Sequence, residues 1–101
     1  MKYYAIGLLN IHDPAWIAEY LEAVTPLVEK HGGKYLARTG SLELKEGEPP
    51  APDTVVMIEF PSKASAEALY NSEEYAPHLE ARMKGSTGPF ILVAGEDIAA
   101  G

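Results

Sequence analysis

The order of apolar and polar positions predicts strands and helices that alternate along the chain. Tyr3 to Ile11 is an apolar run rich in aromatic and branched side chains, which is typical of a strand. A helix is expected from Pro14 to about His31, because apolar residues recur there at helical spacing and the Asp13 carboxylate can cap the first N–H groups. Gly32 and Gly33 follow the last periodic residue and should end that helix.

The next elements are two strands separated by a loop. A second strand is expected over Lys34 to Thr39, resuming through Ser41 to Leu44 after a bend at Gly40. Residues 46–53 form a Pro-rich acidic stretch that cannot sustain a helix or a sheet ladder, so they are expected in a surface loop. Thr54 to Phe60, a run of branched and aromatic residues, predicts the third strand.

Two helices and a strand complete the pattern. A helix is expected over Ser62 to Tyr70, with the serine as its cap. A third, short helix is expected to begin near Pro77 and to end in the glycine-containing segment 85–88. Pro89 to about Gly95 predicts the last strand, and Glu96 to Gly101 has the composition of a frayed or exchanged tail.

The resulting order is β-α-β-β-α-β, with an extra helical turn before the last strand. This is the split βαβ arrangement of the ferredoxin-like α+β class, and it predicts a four-stranded antiparallel sheet with helices on one face. A chain of 101 residues has room for one core, so residues 1–101 are expected to form a single domain. Domains of this size often gain stability from oligomerisation, because they bury a small fraction of their surface.

Both faces of the predicted sheet are apolar. A sheet with one wet face has strands in which apolar and polar residues alternate. Val56 and Met57 of the third strand point to opposite sides and are both apolar, and the first and last strands show the same pattern. Two helices cover only one face, so the simplest cover for the other is the sheet of a second copy, which predicts a homodimer. The alternative is that the third helix and the long loop cover this face within a monomer.

Charge and cysteine content narrow the classes of partner and site. Fifteen acidic against eight basic side chains give a net charge of −7, which repels nucleic acid and anionic membrane surfaces, so neither is expected as a partner. The absence of Cys excludes disulfides and thiolate chemistry and favours the cytoplasm. The apolar N-terminal stretch is too short to span a bilayer and lacks a cleavage site, so no signal peptide is expected. No metal-binding or cofactor-binding motif is present, so neither a metal nor a cofactor is expected.

Several ordered segments carry a family resemblance. They are His31 to Gly40, Ile58 to Ser62, Ser72 to Tyr75, Arg82 and Phe90 to Gly95. Together they resemble the domain of unknown function 1330 family over nearly the whole chain. The resemblance implies the dimeric α/β-barrel superfamily, in which two ferredoxin-like protomers join their sheets. That superfamily includes cofactor-free monooxygenases, lactone isomerases, haem-dependent enzymes and members without an established activity, so no single reaction is implied.

A group of polar side chains near one end of the sheet forms the candidate site. The proposed ligand-binding residues are Arg38, Glu59, Tyr75, Arg82, His31 and Tyr35, with Tyr70 and His78 close by. The resemblance implies a cavity between the sheet and the helices. A guanidinium there can hold a carboxylate or enolate by paired hydrogen bonds, and a Tyr or His can transfer a proton. The sequence therefore favours a small polar or carboxylate metabolite, bound or transformed without a cofactor.

Each candidate residue also has a structural interpretation that the sequence leaves open. Arg38 could pair with Glu59 as a salt bridge between neighbouring strands, and Arg82 could be an exposed helix charge. His31 suits the C-terminal end of the first helix, where its charge complements the helix dipole. A non-catalytic accessory or interaction protein would contain only such pairs, whereas a haem protein would need His31 or His78 as axial ligand. The sequence is therefore compatible both with an enzyme and with a non-catalytic protein.

Overall fold

The computed structural model describes residues 1–100, which form five strands and three α-helices. The strands are β1 (Tyr3–Ile11), β2 (Lys34–Thr39), β3 (Thr54–Phe60), β4 (Ser86–Thr87) and β5 (Phe90–Ala94). The helices are α1 (Ile17–Lys30), α2 (Lys63–Tyr70) and α3 (Ala76–Gly85), and a short 3-10 helix over Pro14–Trp16 precedes α1. The predicted α+β class and the order of its elements are confirmed. Gly101, the end of the predicted tail, lies outside the described residues.

The sheet is antiparallel, with β1 at its centre. β3 pairs with one side of β1, placing Tyr3 opposite Phe60, and β2 pairs with the outer side of β3. Both β5 and β4 pair with the other side of β1: β5 is the predicted last strand, whereas β4 is an additional strand in the segment that was expected only to end the third helix, giving five strands instead of four. The interruption lies at Gly88, whose φ of 119° bends the chain, and at Pro89, which has no N–H for the ladder.

The second strand is shorter than predicted. β2 ends at Thr39, and the continuation through Ser41 to Leu44 is wrong. Thr39 lies opposite Val55, almost at the start of β3, so the neighbouring strand offers no further partner for a ladder. The Ser41 N–H instead donates to Thr39 Oγ1 at 2.9 Å and closes a local turn.

Helix α1 lies across one face of the sheet. Asp13 Oδ1 accepts a hydrogen bond from the Ala15 N–H at 3.0 Å, which caps the 3-10 turn that leads into α1. The buried inner residues Val24 and Val28 belong to a core cluster that includes Phe60 of β3. The helix continues through Pro26 to Lys30 and ends at the predicted place.

The other two helices lie on the same side of the sheet as α1. Ser62 Oγ accepts a hydrogen bond from the Ser65 N–H at 3.1 Å and caps α2, which buries Ala66 and Leu69 in the core. Helix α3 contacts α1 and the 3-10 turn. The third helix therefore does not cover the second face of the sheet, so the alternative that depended on it is wrong.

A β-bulge in β2 determines which side chains face the helices. Tyr35 pairs with Ile58 and Ala37 pairs with the adjacent Met57, which leaves Leu36 as an extra residue. The extra residue changes the alternation, so Tyr35 and Arg38 share the face that carries α1. Without the bulge, the two side chains would point to opposite faces.

The second face is an apolar surface that the described chain leaves partly exposed. Ala37, Met57, Ile6 and Ile91 form one row across four strands of this face. Ile91 is 46% exposed, and Val93 on the same side of β5 is 38% exposed. The sequence-based prediction of a sheet that is apolar on both faces is therefore confirmed.

We predict that Leu69→Ala lowers the free energy of unfolding by about 2–5 kcal/mol, because it leaves a cavity under α2. Leu69 is 6% exposed and belongs to the core cluster. Urea titration followed by circular dichroism measures the change. Leu44→Ala is the matched control, since Leu44 is 43% exposed in the loop, and a loss of similar size in both variants would contradict the assigned core.

Candidate functional site

A cavity of about 280 Å³ lies between α1 and the sheet. Its walls are mainly apolar side chains of α1, β1 and β3, such as Leu21, Leu9 and Val56. Its polar residues, apart from Trp16, are Tyr20, Tyr35, Arg38, Thr39, Thr54 and Arg82. An apolar cavity with a few converging polar groups is the usual form of a small-molecule site, and this volume is near the lower end of the usual range.

Arg38 lies at the rim of the cavity. Its Nη1 donates to Thr25 Oγ1 of α1 at 2.8 Å, and its Cζ lies 3.7 Å from the centroid of the Tyr35 ring. These two contacts hold the guanidinium without a carboxylate. The alternative of an Arg38–Glu59 salt bridge is wrong. Glu59 lies on the opposite face of the sheet and binds Lys2 Nζ at 2.8 Å, because the bulge in β2 turns Arg38 toward α1.

Arg82 lies in the wall of the cavity and is buried. The residue is 5% exposed, so the interpretation as an exposed helix charge is wrong. Its Cζ lies 4.8 Å from the centroid of the Phe90 ring, and its Nε has no hydrogen-bond partner within residues 1–100. Burial lowers the pKa of Arg82, but the adjacent Tyr75 and Tyr20 outweigh this effect and raise it, so the side chain remains a cation.

Two tyrosines share a hydrogen bond next to Arg82. The hydroxyl oxygens of Tyr20 and Tyr75 are 2.7 Å apart, and either group can be the donor. Burial raises the pKa of Tyr20 well above the usual value for a phenol, and Tyr75 raises it further. Tyr20 is therefore neutral at physiological pH and can donate a hydrogen bond into the cavity.

The cavity has a positive charge that the described residues do not neutralise. Arg38 and Arg82 are its charged lining residues, and no Asp or Glu lines it. Neither arginine forms a salt bridge within residues 1–100, although the whole chain has a net charge of −7. Low-dielectric walls strengthen the field of a buried charge such as that of Arg82, so the geometry suits an anion.

Comparison with known proteins assigns the chain to a family. The family model described as Domain of unknown function (DUF1330) matches residues 2–96. The chain belongs to this family. The resemblance noted in the sequence is thereby confirmed, and a search of the curated proteins finds no match.

Solved structures similar to this DUF1330 chain share its fold. One is a protein of unknown function from Rhodopseudomonas palustris, with a TM-score of 0.76 and 17% identity, covering 95% of this chain and 83% of that one. Another is SnoaB, a cofactor-independent oxygenase from Streptomyces nogalater, with a TM-score of 0.65 and 14% identity, covering 95% of this chain and 94% of that one. A third is HapK from Hahella chejuensis, with a TM-score of 0.58 and 14% identity, covering 98% of this chain and 99% of that one. These likenesses confirm the ferredoxin-like dimeric α/β-barrel fold and, at such identities, nothing further.

Some of the sequence-predicted site residues meet in this DUF1330 chain. Arg38, Tyr35 and Arg82 line the cavity, and Tyr75 reaches the cluster through Tyr20. His78 lies beside the Tyr20 ring, with 6.4 Å between the ring centroids.

The other candidates lie outside the cavity. The Nδ1 atom of His31 is 3.0 Å from the Leu27 carbonyl oxygen at the end of α1, as its cap position suggested. Tyr70 is 45% exposed and lies against the ring of Tyr75. Glu59 is on the other face of the sheet, as described above.

Tyr20 is the site residue that sequence reasoning missed. It shares the inner side of α1 with Val24, and helical spacing alone favours packing for an aromatic residue at such a position. The available signal was its place four residues from Trp16 and four from Val24, which puts a hydroxyl on an otherwise apolar helix face. Its partner Tyr75 is distant in the sequence, so no local pattern could reveal the pair.

Residues 1–100 contain no group of three or more His, Asp or Glu side chains arranged to hold a metal ion. In the same residues, no helix is long and apolar enough to cross a membrane.

We predict that the stability of the protein falls as the pH rises above about 10, partly through Tyr20. Its folded pKa is higher than that of the unfolded chain, so the contribution is complete below the unfolded pKa and is lost as the pH rises toward the folded one. Tyr20→Phe should make this pH dependence shallower. It should also cost about 1–3 kcal/mol at pH 7, because Tyr75 loses its partner.

Urea titrations at pH 7 to 10.5 measure both effects. Tyr70→Phe is the control for the loss of a hydroxyl, since Tyr70 is exposed. An unchanged pH dependence in Tyr20→Phe would contradict the assignment of Tyr20 as a buried neutral phenol.

Proposed function

We propose that this protein binds a small organic anion with an apolar body in the cavity beneath α1. The buried guanidinium of Arg82, which has no carboxylate partner in the described chain, is the observation that carries the proposal. A carboxylate or enolate would neutralise it, and the apolar walls would surround the rest of the ligand.

A purely structural role explains Arg82 poorly. Burying a cation without a carboxylate partner costs several kcal/mol, and the contacts with Phe90, Tyr75 and Tyr20 offset only part of that cost. Structural arginines of this kind are usually paired and fully hydrogen-bonded, whereas Arg82 Nε has no partner. Both features are expected of a binding residue whose counterion arrives with the ligand.

The tyrosines beside Arg82 support a role in a reaction as well as in binding. When Tyr75 donates their shared hydrogen bond, the O–H of Tyr20, which lines the cavity, is free to donate to a carbonyl or enolate oxygen held at Arg82. This arrangement supports electrostatic stabilisation of an enolate, which needs no cofactor. SnoaB, a cofactor-independent oxygenase with this fold, is consistent with such chemistry, although its identity to this chain is low.

Self-association is the second part of the proposal. The apolar row of Ile6, Met57 and Ile91 leaves a surface that water solvates poorly, and a second copy of the same sheet complements it. The dimeric α/β-barrel fold supports a homodimer of this kind. An accessory protein that works through self-association alone is the alternative function, and this face is the observation that favours it.

The proposed setting is the cytoplasm, with a small metabolite as partner. The net charge of −7 supports a small metabolite as partner over nucleic acid or an anionic lipid surface. The positive charge of the two arginines is confined to the cavity, which suits a small anion better than an extended polyanion.

We predict that benzoate binds more tightly than benzamide, its neutral counterpart, and that Arg82→Met weakens benzoate binding about 10- to 100-fold. Isothermal titration calorimetry measures both affinities. Arg82→Met should fold with an unchanged or higher free energy of unfolding, because it removes a buried unpaired charge.

Lys84→Met is the matched control on the same helix. The Lys84 side chain is 76% exposed and binds Glu80, so benzoate affinity should stay as in the wild type. Equal affinities for benzoate and benzamide, or a benzoate affinity that survives in Arg82→Met, would overturn the anion site.

We predict that Ile91→Lys converts a homodimer into a monomer, because it places a charge in the proposed sheet-to-sheet interface. The change should not unfold the protomer, since Ile91 is 46% exposed within one chain. Sedimentation velocity measures the mass. Leu44→Lys in the exposed loop is the control, and a dimer that persists in Ile91→Lys or a monomeric wild type would contradict this interface.

A further inference from the structure

We propose, on the basis of the anion site described above, that the ligand carries two acidic groups, one at each end of an apolar body. One group binds Arg82 inside the cavity and the other binds Arg38 at the rim. The ligand class is therefore a molecule with two anionic oxygen groups, such as a dicarboxylate or a carboxylate that also bears an enolate or phenolate.

The sheet register separates the two arginines. Arg38, Val56, Gly7 and Phe90 are successive partners in one row across β2, β3, β1 and β5. Neighbouring strands lie about 4.8 Å apart, so three steps place the backbones of Arg38 and Phe90 about 14 Å apart. Arg82 lies above Phe90, so the two arginines mark opposite ends of the same row.

The aromatic rings beneath the two guanidiniums hold them apart. Arg38 stacks on Tyr35 and is tied to Thr25, which keeps it at the β2 side. The Phe90 ring leans over Gly7 of β1, since a Cβ built on Gly7 would lie 2.7 Å from the ring. Arg82 lies over this ring, so its guanidinium lies toward the middle of the sheet. The two charges are then on the order of 10 Å apart, about two strand spacings. One carboxylate is too small to contact both.

The space between the charges is apolar. Val56 lies on the sheet between the two ends, and Leu21 and Val24 of α1 line the same cavity. A ligand that spans the arginines therefore places an alkyl or aromatic segment against these side chains, where it loses contact with water.

The two ends of the site differ in burial and hydrogen bonding. Arg82 is buried and has the Tyr20 and Tyr75 hydroxyls beside it, whereas Arg38 is exposed. The group at Arg82 should therefore supply most of the affinity. The group at Arg38 should add a smaller contribution that salt screens more strongly.

Two matched pairs of probes test this inference. Terephthalate is compared with 4-carbamoylbenzoate, and adipate with its monoamide, so that each pair differs by one charge at nearly constant shape. Calorimetry should show at least one diacid binding about tenfold more tightly than its monoamide, which corresponds to about 1.4 kcal/mol. Arg38→Met should remove this advantage, because it weakens binding of the diacid much more than binding of the monoamide. Arg82→Met should weaken both members of the pair.

The outcomes separate this inference from the proposed function. If each monoamide binds as tightly as its diacid, or if the diacid advantage survives in Arg38→Met, the two-group ligand is wrong while a single-anion site at Arg82 stands. If no diacid, monoamide or benzoate binds, both the anion site and this inference are wrong. Lys34→Met is the control on β2, because Lys34 pairs with Glu59 in the register on the opposite side of the sheet.

Discussion

The antiparallel ladder through β2, β3, β1 and β5 is the constraint on which both surfaces of the sheet depend. It aligns Arg38 with Phe90 in a row beneath the helices, and it aligns Ala37 with Ile91 in the next row on the opposite face. Side chains alternate along a strand, so a slip of one residue would exchange the two faces. The cavity and the exposed apolar surface are therefore fixed by the same hydrogen bonds. One departure from regular pairing, the bulge at Leu36, brings Arg38 to the cavity.

Helix α1 serves both the core and the site along one inner side. Val24 and Val28 are buried in the core cluster and also line the cavity, whereas Ile17 and Tyr20 near the N-terminal end line the cavity without being fully buried. The buried residues anchor the helix, so its N-terminal turns can border a space that side chains do not fill. A rigid element thus holds the Tyr20 hydroxyl at a fixed distance from Tyr75, which a loop could not do as precisely.

Most elements of this fold could be predicted from local pattern, whereas the candidate site could be predicted only in part. The strands and helices follow from apolar spacing and from caps such as Asp13 and Ser62, which act within a few residues. The partners of Arg38 and Glu59 depend on a bulge at Leu36, which the pattern of apolar residues does not predict. Arg82 resembles a surface charge among its helical neighbours, and its burial arises from Tyr20 and Phe90, which lie on other elements. Sequence reasoning therefore found Arg82 and missed its surroundings.

The two cavity arginines differ from most lysines of the chain because neither forms a salt bridge in the described residues. In the described chain, lysines take the carboxylate partners, as in Lys2–Glu59 and Lys63–Glu67, and these pairs lie largely at the surface, where they add little stability. The buried Arg82, where a partner would matter most, has none. A ligand that supplies the missing anion binds the folded chain alone, so it stabilises that chain in proportion to its affinity and concentration. Stability and ligand recognition are thus coupled through one guanidinium.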